Sequence, residues 1–337
     1  MTLQPRNTSQ PTSLTDLDLT VAIPTLGRVE EVIHTLQLLI RELMDPTFSQ
    51  ETHHAQVEIL VSDQNDPPIA NLVNQISGLQ SIHPQLILRH QRVAPRGVVH
   101  NMNAILSGAR GRVILFLDDD VDFEPRLIRA HLKNYSPTLE AKKHGGVAGR
   151  VEQPSGDREP SQVQESGRVN RYTGAVVAQF NSLTRQTSVD FGPGGNMSYL
   201  KSALIEAGGF DEEFDGNGYF FEPDLGLRVR DAGYSIVFDP LATLKHLQAP
   251  RGGCRITDKA VHTQYFVKNG TRLFRKFFPH SPHSVLTWGF LALWTMRAVA
   301  YCLAKSLWNR DWRIAHLGIA GLTSGLKANL PSKISRN

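Results

Sequence analysis

Residues 113–123 read VILFLDDDVDF. Five apolar residues run into three consecutive aspartates, and a fourth aspartate follows two places later. Carboxylates this close repel one another, and each prefers water to a buried position. The apolar run reads as a buried strand, so the cluster at its end calls for a positive partner. A hard divalent cation takes oxygen ligands, and carboxylates here can supply one or two while leaving sites for substrate phosphates. The structural alternative is an acidic turn or helix N-cap, with Pro125 in the first helical turn. A cap needs one carboxylate, not three.

The flanking sequence sets the architecture. LTVAIPT at 19–25 is a short apolar strand closed by Pro24, and Val29, Val32, Ile33, Leu36, Leu39, Ile40 and Leu43 then mark one face of a helix. VEILVSD at 57–63 is a second strand, PPIANLVNQISGL a helix with proline at its start, and LILRHQ a third strand. Residues 97–109 form a third helix, leading into the fourth strand, RVILFLD. Strand and helix alternating at this interval predict an α/β fold with a mostly parallel, Rossmann-like sheet covered by helices on both faces. Ligands of such sheets sit outside the carboxyl ends of the strands. Asp63 and the Asp118–Asp119–Asp120 run both lie at such ends, with Thr25 and Arg28 in the first loop beside them.

Downstream, EPRLIRAHLKNY reads as a helix and GGVAGRVEQ as a strand, followed by a polar loop over 154–171 and a glycine-rich turn, GPGGNMSY. KSALIEAGGF is a short helix stopped by glycines. EPDLGLRVRDAGY is a helix with acids in its first turn, and SIVFD and ATLKH read as two strands.

The chain has 337 residues and a formal charge of +4, which fits anionic ligands or an anionic membrane surface better than a dedicated nucleic-acid binder. Two cysteines far apart, Cys254 and Cys302, make no disulfide framework or metal motif. Residues 1–16 are polar, without signal-peptide features, and are expected to be a disordered lead into a cytoplasmic protein. Residues 257–337 read as a helical appendix. A basic helix carries Lys268, Arg272, Arg275 and Lys276 among aromatics. An apolar run over 285–308 follows, interrupted by Arg297 and Lys305 and bearing Trp288, Trp294 and Trp308. This pattern predicts a peripheral contact with an anionic bilayer, with packing against the catalytic domain or a second copy as the rival.

The ordered set TVAIPTLGR, VEILVSDQNDP, RGVVHNMNAILSGARGRVILFLDDDV, GGNMSYLKSALIEAGGFDEEF, EPDLGLRVRDAGYSIVFDP and LKH resembles family 2 glycosyltransferases of the GT-A fold. The resemblance spans residues 19–246 and sets a GT-A domain over 17–256. It implies transfer of a sugar from a nucleotide-diphosphate donor to a glycan or lipid-linked acceptor, with inversion, assisted by Mn²⁺ or Mg²⁺. Pro24, Thr25, Arg28, Asp63, Gly97, Asn101, Asp118 and Asp119 are then expected on the donor side. Asp120 and His246 would hold the metal. Gly194, Gly195 and Asn196 would line the acceptor side, and Glu222 or Asp224 would serve as the base. Strand alternation predicts that Asp119 points away from the cleft. Two departures stand out. His100 occupies a position where the family usually has arginine, and Phe221 replaces the acid before Glu222, itself in place of the usual aspartate. Arg251 and Arg255 sit in a glycine-containing segment that could order over a bound donor. Rival readings are a sugar-phosphate nucleotidyltransferase, a D-x-D phosphatase and a non-enzymatic membrane-associated protein.

Overall fold

The computed structural model describes residues 17–154, 166–277 and 285–328. The expected N-terminal lead and most of the expected polar loop after Pro154 lie outside them. The chain opens with β1 (Leu17–Thr25), α1 (Val29–Leu43), the short α2 (Phe48–Glu51), β2 (Val57–Asp63), α3 (Ala70–Ile82) and β3 (Ile87–Arg92). It continues through α4 (Val98–Gly108), β4 (Gly111–Leu117), β5 (Val121–Asp122), α5 (Leu127–Leu132), α6 (Pro137–Ala141) and β6 (His144–Glu152). Next come β7 (Arg168–Val169), β8 (Val176–Val177), β9 (Thr187–Val189), β10 (Asn196–Leu200), α7 (Lys201–Glu206), α8 (Phe221–Asp231) and β11 (Ser235–His246). Three helices finish the described chain: α9 (Lys259–Phe277), α10 (Val285–Asn309) and α11 (Trp312–Lys327).

The main sheet runs β3-β2-β1-β4-β10-β6-β11-β5, with β9 also on β11, while β7 and β8 form a separate hairpin. β1 pairs in parallel with β2 and β4, β2 with β3, and β6 with β11. The fold is therefore α/β and mostly parallel, as the strand–helix alternation predicts. The sheet's interior is a continuous apolar layer, with Leu19, Val21, Ile23, Ile59, Leu115 and Phe116 almost or wholly inaccessible.

The sequence reading missed β10. Its residues Asn196–Leu200 follow GPGG and were expected to form a turn. Instead they make a fully buried central strand, antiparallel to both β4 and β6. SIVFD and ATLKH likewise form one strand, β11, whose register shifts between Asp239 and Thr243. The helix expected over EPRLIRAHLKNY shrinks to Leu127–Leu132.

Asn196 is expected at the acceptor side, but it is wholly buried and binds elsewhere. Its Nδ2 donates to the carbonyls of Arg150 and Ala242 at 2.9 Å, and its Oδ1 meets His131 Nε2 at 2.9 Å. Nδ1 of His131 meets Ser198 Oγ at 2.8 Å, so both ring nitrogens are satisfied. This network clamps α5, β6 and β11 onto β10, and burial of the ring lowers the His131 pKa from 6.5 to about 4. As the pH falls, the unfolded chain takes up this proton before the folded one does. The stability contributed by neutral His131 is thus complete above pH 6.5 and lost towards pH 4, a loss of roughly 3 kcal/mol. Urea unfolding of wild type and His131→Gln across this window will show a smaller acid-side loss in the variant.

Candidate active site

The parallel strands bring three ends together. Thr25 closes β1 beside Asp63 of β2 in register, and β4 ends at Leu117, directly before the aspartates. After the aspartates the chain turns back as β5, whose Val121 pairs with His246 at the end of β11. That short pairing delivers His246, distant in sequence, to the aspartate cluster.

Each of the three aspartates has a different task. Asp118 faces the cleft, with its side chain 42% exposed, and one carboxylate oxygen lies 3.9 Å from His246 Nε2. Asp120 is buried. His246 Nε2 lies 3.1 Å from its Oδ1, and the Ala249 backbone N–H donates to its Oδ2 at 2.8 Å. Asp119, in the bend after β4, is engaged by the first loop, accepting from Thr25 Oγ1 at 2.7 Å and from Arg28 NH1 at 2.6 Å. The same guanidinium nitrogen reaches Asp120 Oδ1 at 3.1 Å.

These surroundings separate the three acids electrostatically. At the cleft wall, partial withdrawal from water raises Asp118, with the charge of Asp120 adding to the effect. Burial likewise raises Asp119 to about 6, although Arg28 and Thr25 oppose it. Burial would raise Asp120 too, but His246, Arg28 and the Ala249 N–H more than offset it and hold its carboxyl below the usual range.

One oxygen each from Asp118 and Asp120 and one nitrogen of His246 lie within 4.8 Å of one another. Two hard carboxylates with one imidazole form a donor set that suits Mg²⁺, Mn²⁺ or a similar divalent ion. Gly195 makes room for this arrangement: a Cβ there would fall 2.0 Å from Asp118 Oδ2.

A cleft of about 330 Å³ opens over the cluster. Pro24, Thr25, Arg28 and Asn101 line it, together with Asp118, Asp119, Asp120 and His246. Gln64, Met102, Asn217, Tyr219 and Cys254 also line it; Gln64 and Met102 lie within the family motifs but are not among the expected contacts, and Asn217, Tyr219 and Cys254 have no motif to mark them. The expected closing segment packs against the first loop: Gly253 N–H donates to the Leu26 carbonyl at 2.7 Å, and Arg28 Nε to that of Arg251 at 2.9 Å. Arg255 NH2 lies 3.7 Å from Asp120.

Other expected residues stand behind the cleft rather than in it. Asp63 is wholly buried, its Oδ1 accepting from the backbone and side chain of Asn65 at 2.8 and 2.6 Å. Asn65 in turn accepts from Gly27 N–H at 2.8 Å, so Asp63 shapes the first loop through Asn65. The Gly97 carbonyl accepts from Gln64 Nε2 at 3.0 Å, fixing a cleft residue. His100 turns outward to Glu212 at 3.3 Å.

The two candidate bases part company. Asp224 is buried in an ionic lock, with Arg228 NH2 and Lys276 Nζ each at 2.6 Å. Glu222, one helical position before Pro223, faces a second cavity together with Gly194. Burial raises the Glu222 pKa to about 7, with the charge of Asp118 adding to the rise.

Asp120→Asn is expected to weaken Mn²⁺ binding roughly tenfold or more, read by calorimetry, with the fold retained. Asp119→Ala removes the partner of a buried guanidinium, so it should cost about 3 kcal/mol in urea unfolding. Unchanged Mn²⁺ affinity in Asp120→Asn would remove that residue from the metal site.

Residues 18–266 match the family model described as Glycosyltransferase like family 2. No curated protein matches the chain. Solved structures share the fold at low identity. The mannosyltransferase PcManGT from Pyrobaculum calidifontis, in complex with GDP-Man and Mn²⁺, aligns over 93% of this chain and 90% of its own at 16% identity and a TM-score of 0.54. TarS from S. aureus, in complex with UDP-GlcNAc, aligns over 92% and 81% at 13% identity and 0.56. GalNAc-T7 with UDP, GalNAc and Mn²⁺ aligns over 77% of this chain but 48% of its own, at 13% identity and 0.56. Since the family model spans well over half of the chain and the GT-A fold accompanies it, the chain belongs to glycosyltransferase family 2.

Proposed function

We propose that this glycosyltransferase moves a sugar from a nucleotide-diphosphate donor to an acceptor hydroxyl by a single displacement with inversion, Glu222 acting as base. The observation that carries this reading is the Gly194–Gly195 turn. An added Cβ at Gly195 would strike Asp118 of the metal cleft, and one at Gly194 would lie 2.9 Å from Glu222 Oε1 in the neighbouring cavity. Base and donor cleft are therefore one residue apart along the turn, on opposite sides of it.

Asp118, Asp120 and His246 would hold the divalent cation, which when bound supplies Lewis-acid stabilisation of the leaving diphosphate. Pro24, Thr25, Arg28 and Asn101 form the donor side. Glu222 takes the acceptor's proton as the acceptor oxygen bonds to the anomeric carbon. The bond from that carbon to the diphosphate breaks, and its electron pair leaves with the diphosphate oxygen. A base with a pKa near 7 matches proton abstraction at neutral pH. GDP-Man with Mn²⁺ and UDP-GlcNAc in structures of the same fold support the donor class.

Glu222→Gln should lower turnover roughly 100-fold or more while the affinity for nucleotide-sugar stays close to wild type. Because the carboxylate must be deprotonated, wild-type kcat/KM should fall as the pH drops through about 7, and the variant should lose that limb. Steady-state kinetics between pH 5.5 and 9, on roughly the scale set by the base's pKa, decides it. Full turnover in Glu222→Gln would exclude Glu222 as the base.

We propose that membrane contact by this protein rests on apolar surface rather than on the cations that the sequence marks. Lys268, Arg272, Arg275 and Lys276 of α9 are each engaged by other groups of the protein. Arg272 and Lys276 reach Asp211 at 2.8 Å, Lys268 reaches Asp215 at 2.6 Å, and Arg275 donates to the Gly325 and Ala328 carbonyls at 2.8 Å. What remains exposed is the apolar side of α10, including Trp288, Met296, Leu307 and Trp308. Within α10, residues Trp288–Asn309 are long and apolar enough to cross a bilayer by length and composition. Its opposite side is packed, with Cys302 wholly buried against Gly318 of α11. A helix anchored on one side and apolar on the other fits the interface of a bilayer. Sedimentation with phosphatidylglycerol vesicles should therefore survive high salt and fail in the double variant Met296→Ser/Trp308→Ser. Release by salt alone would return the role to surface cations.

A further inference from the structure

Tyr219 and the Gly194–Gly195 turn separate the metal cleft from a cavity of about 630 Å³, well inside the roughly 300–1,000 Å³ of small-molecule sites. Tyr219 lines both spaces, and its hydroxyl is held 2.8 Å from His262 Nε2 of α9. Glu222 faces the cavity from α8, and α10 closes it with Trp294, Arg297, Ala298 and Tyr301. Trp294 is fixed there: its ring stacks on Phe274 at 4.8 Å, and its Nε1 donates to Thr271 Oγ1 at 3.1 Å.

We infer that this cavity takes the acceptor, and that the acceptor is an amphiphile whose hydroxyl-bearing head joins an apolar tail through a phosphate. This rests on the reading of Glu222 as base. Three features point to that chemistry. The walls are largely aliphatic and aromatic, with Val176, Ala178, Pro193, Val267 and Ala298 among them. A free glycan chain would leave many hydroxyls there without partners, at a cost in lost hydrogen bonds. The cavity is also built partly by α10, whose outer face is the exposed apolar surface, so a tail leaving the cavity along this helix stays on apolar ground. Finally, among the described residues Arg297 is the only cation in the lining and makes no ion pair. An arginine fork matches phosphate oxygens in two parallel hydrogen bonds. The head's hydroxyl then meets Glu222 while Arg297 holds the phosphate, and the bond changes are those of the displacement above.

Decyl phosphate and decyl maltoside, each below its micelle concentration, are the probes, with binding read by tryptophan fluorescence and calorimetry. Wild type is expected to bind decyl phosphate more tightly than decyl maltoside. R297Q should lose roughly tenfold or more of the decyl phosphate affinity, and R297K should recover part of it. Arg297 is exposed, so both variants should fold, with melting temperatures matching wild type. Equal decyl phosphate affinity in wild type and R297Q, or decyl maltoside binding as tightly as decyl phosphate, overturns the inference. So does binding of maltose with neither amphiphile, which would mark a free-glycan site. A parallel titration of wild type with Mn²⁺ and UDP or GDP separates the two readings. Nucleotide binding without decyl phosphate binding defeats this inference alone. Decyl phosphate binding without any metal-dependent nucleotide binding defeats the donor reading and supports the cavity's role.

Discussion

The placement of Arg28 between Asp119 and Asp120 holds the site together. One guanidinium nitrogen lies 2.6 Å from the first carboxylate and 3.1 Å from the second, in a setting almost closed to solvent. A charge buried in this way requires close partners, and removing any one of them strands the others. The pairing ties the loop after β1 to the end of β4. Through the Arg28 Nε bond to Arg251, it also ties in the segment that follows β11. Part of the acidic run is thereby neutralised from within, which leaves Asp118 and one side of Asp120 to face a cation with His246. The three successive aspartates are thus three different groups: a cleft-facing acid, an acid paired with the first loop, and a buried acid held in its ionised form beside His246.

The next constraint is steric. β10 is the antiparallel strand in the middle of a mostly parallel sheet, and its leading glycines sit where side chains cannot. The missing Cβ at Gly195 admits Asp118, and the missing Cβ at Gly194 admits Glu222. Behind the turn, Asn196 and His131 lock β10 to its neighbours with buried hydrogen bonds. A small error in this strand would displace Glu222 and Asp118 together, because the turn before it packs against both.

The C-terminal helices belong to the catalytic body. Asp224 and Asp211 draw Lys276 and Arg272 of α9 onto the core, and α10 then completes the wall of the cavity beside Glu222. The first turn of α8 therefore carries two acids in different settings, Asp224 paired with Arg228 and Lys276, and Glu222 at the cavity. Asp224 shares its helix with Glu222, but two positions along a helix turn a side chain through most of a half circle. One carboxylate faces the cavity while the other is buried against α9.

The sequence by itself determined the sheet, the helices that cover it and the strand ends on which the acids stand. Those features follow from local periodicity, and β2 spans the same residues in the sequence reading and in the structure. The aspartate run and the first-loop Thr25 and Arg28 were legible for the same reason, since parallel topology places the loops after adjacent strands on one edge. Only the tertiary structure decided the rest. β10 follows a glycine-rich segment and is five residues long, so pairing with two neighbours, not propensity, makes it a strand. Asn196 and Asp63 have the residue types of ligand contacts, but Asn196 is saturated by partners distant in sequence, and Asp63 meets His90 of β3 at 3.1 Å as well as its neighbour Asn65. The α9 cations look like a membrane-binding surface until the carboxylates of Asp211, Asp215 and Asp224 come within reach. Trp294 and Arg297 share no motif with Glu222 and meet it around one cavity only when α10 folds back on the domain. In each case the deciding contact is long-range, and side-chain direction and charge pairing across the fold are not encoded in any local window.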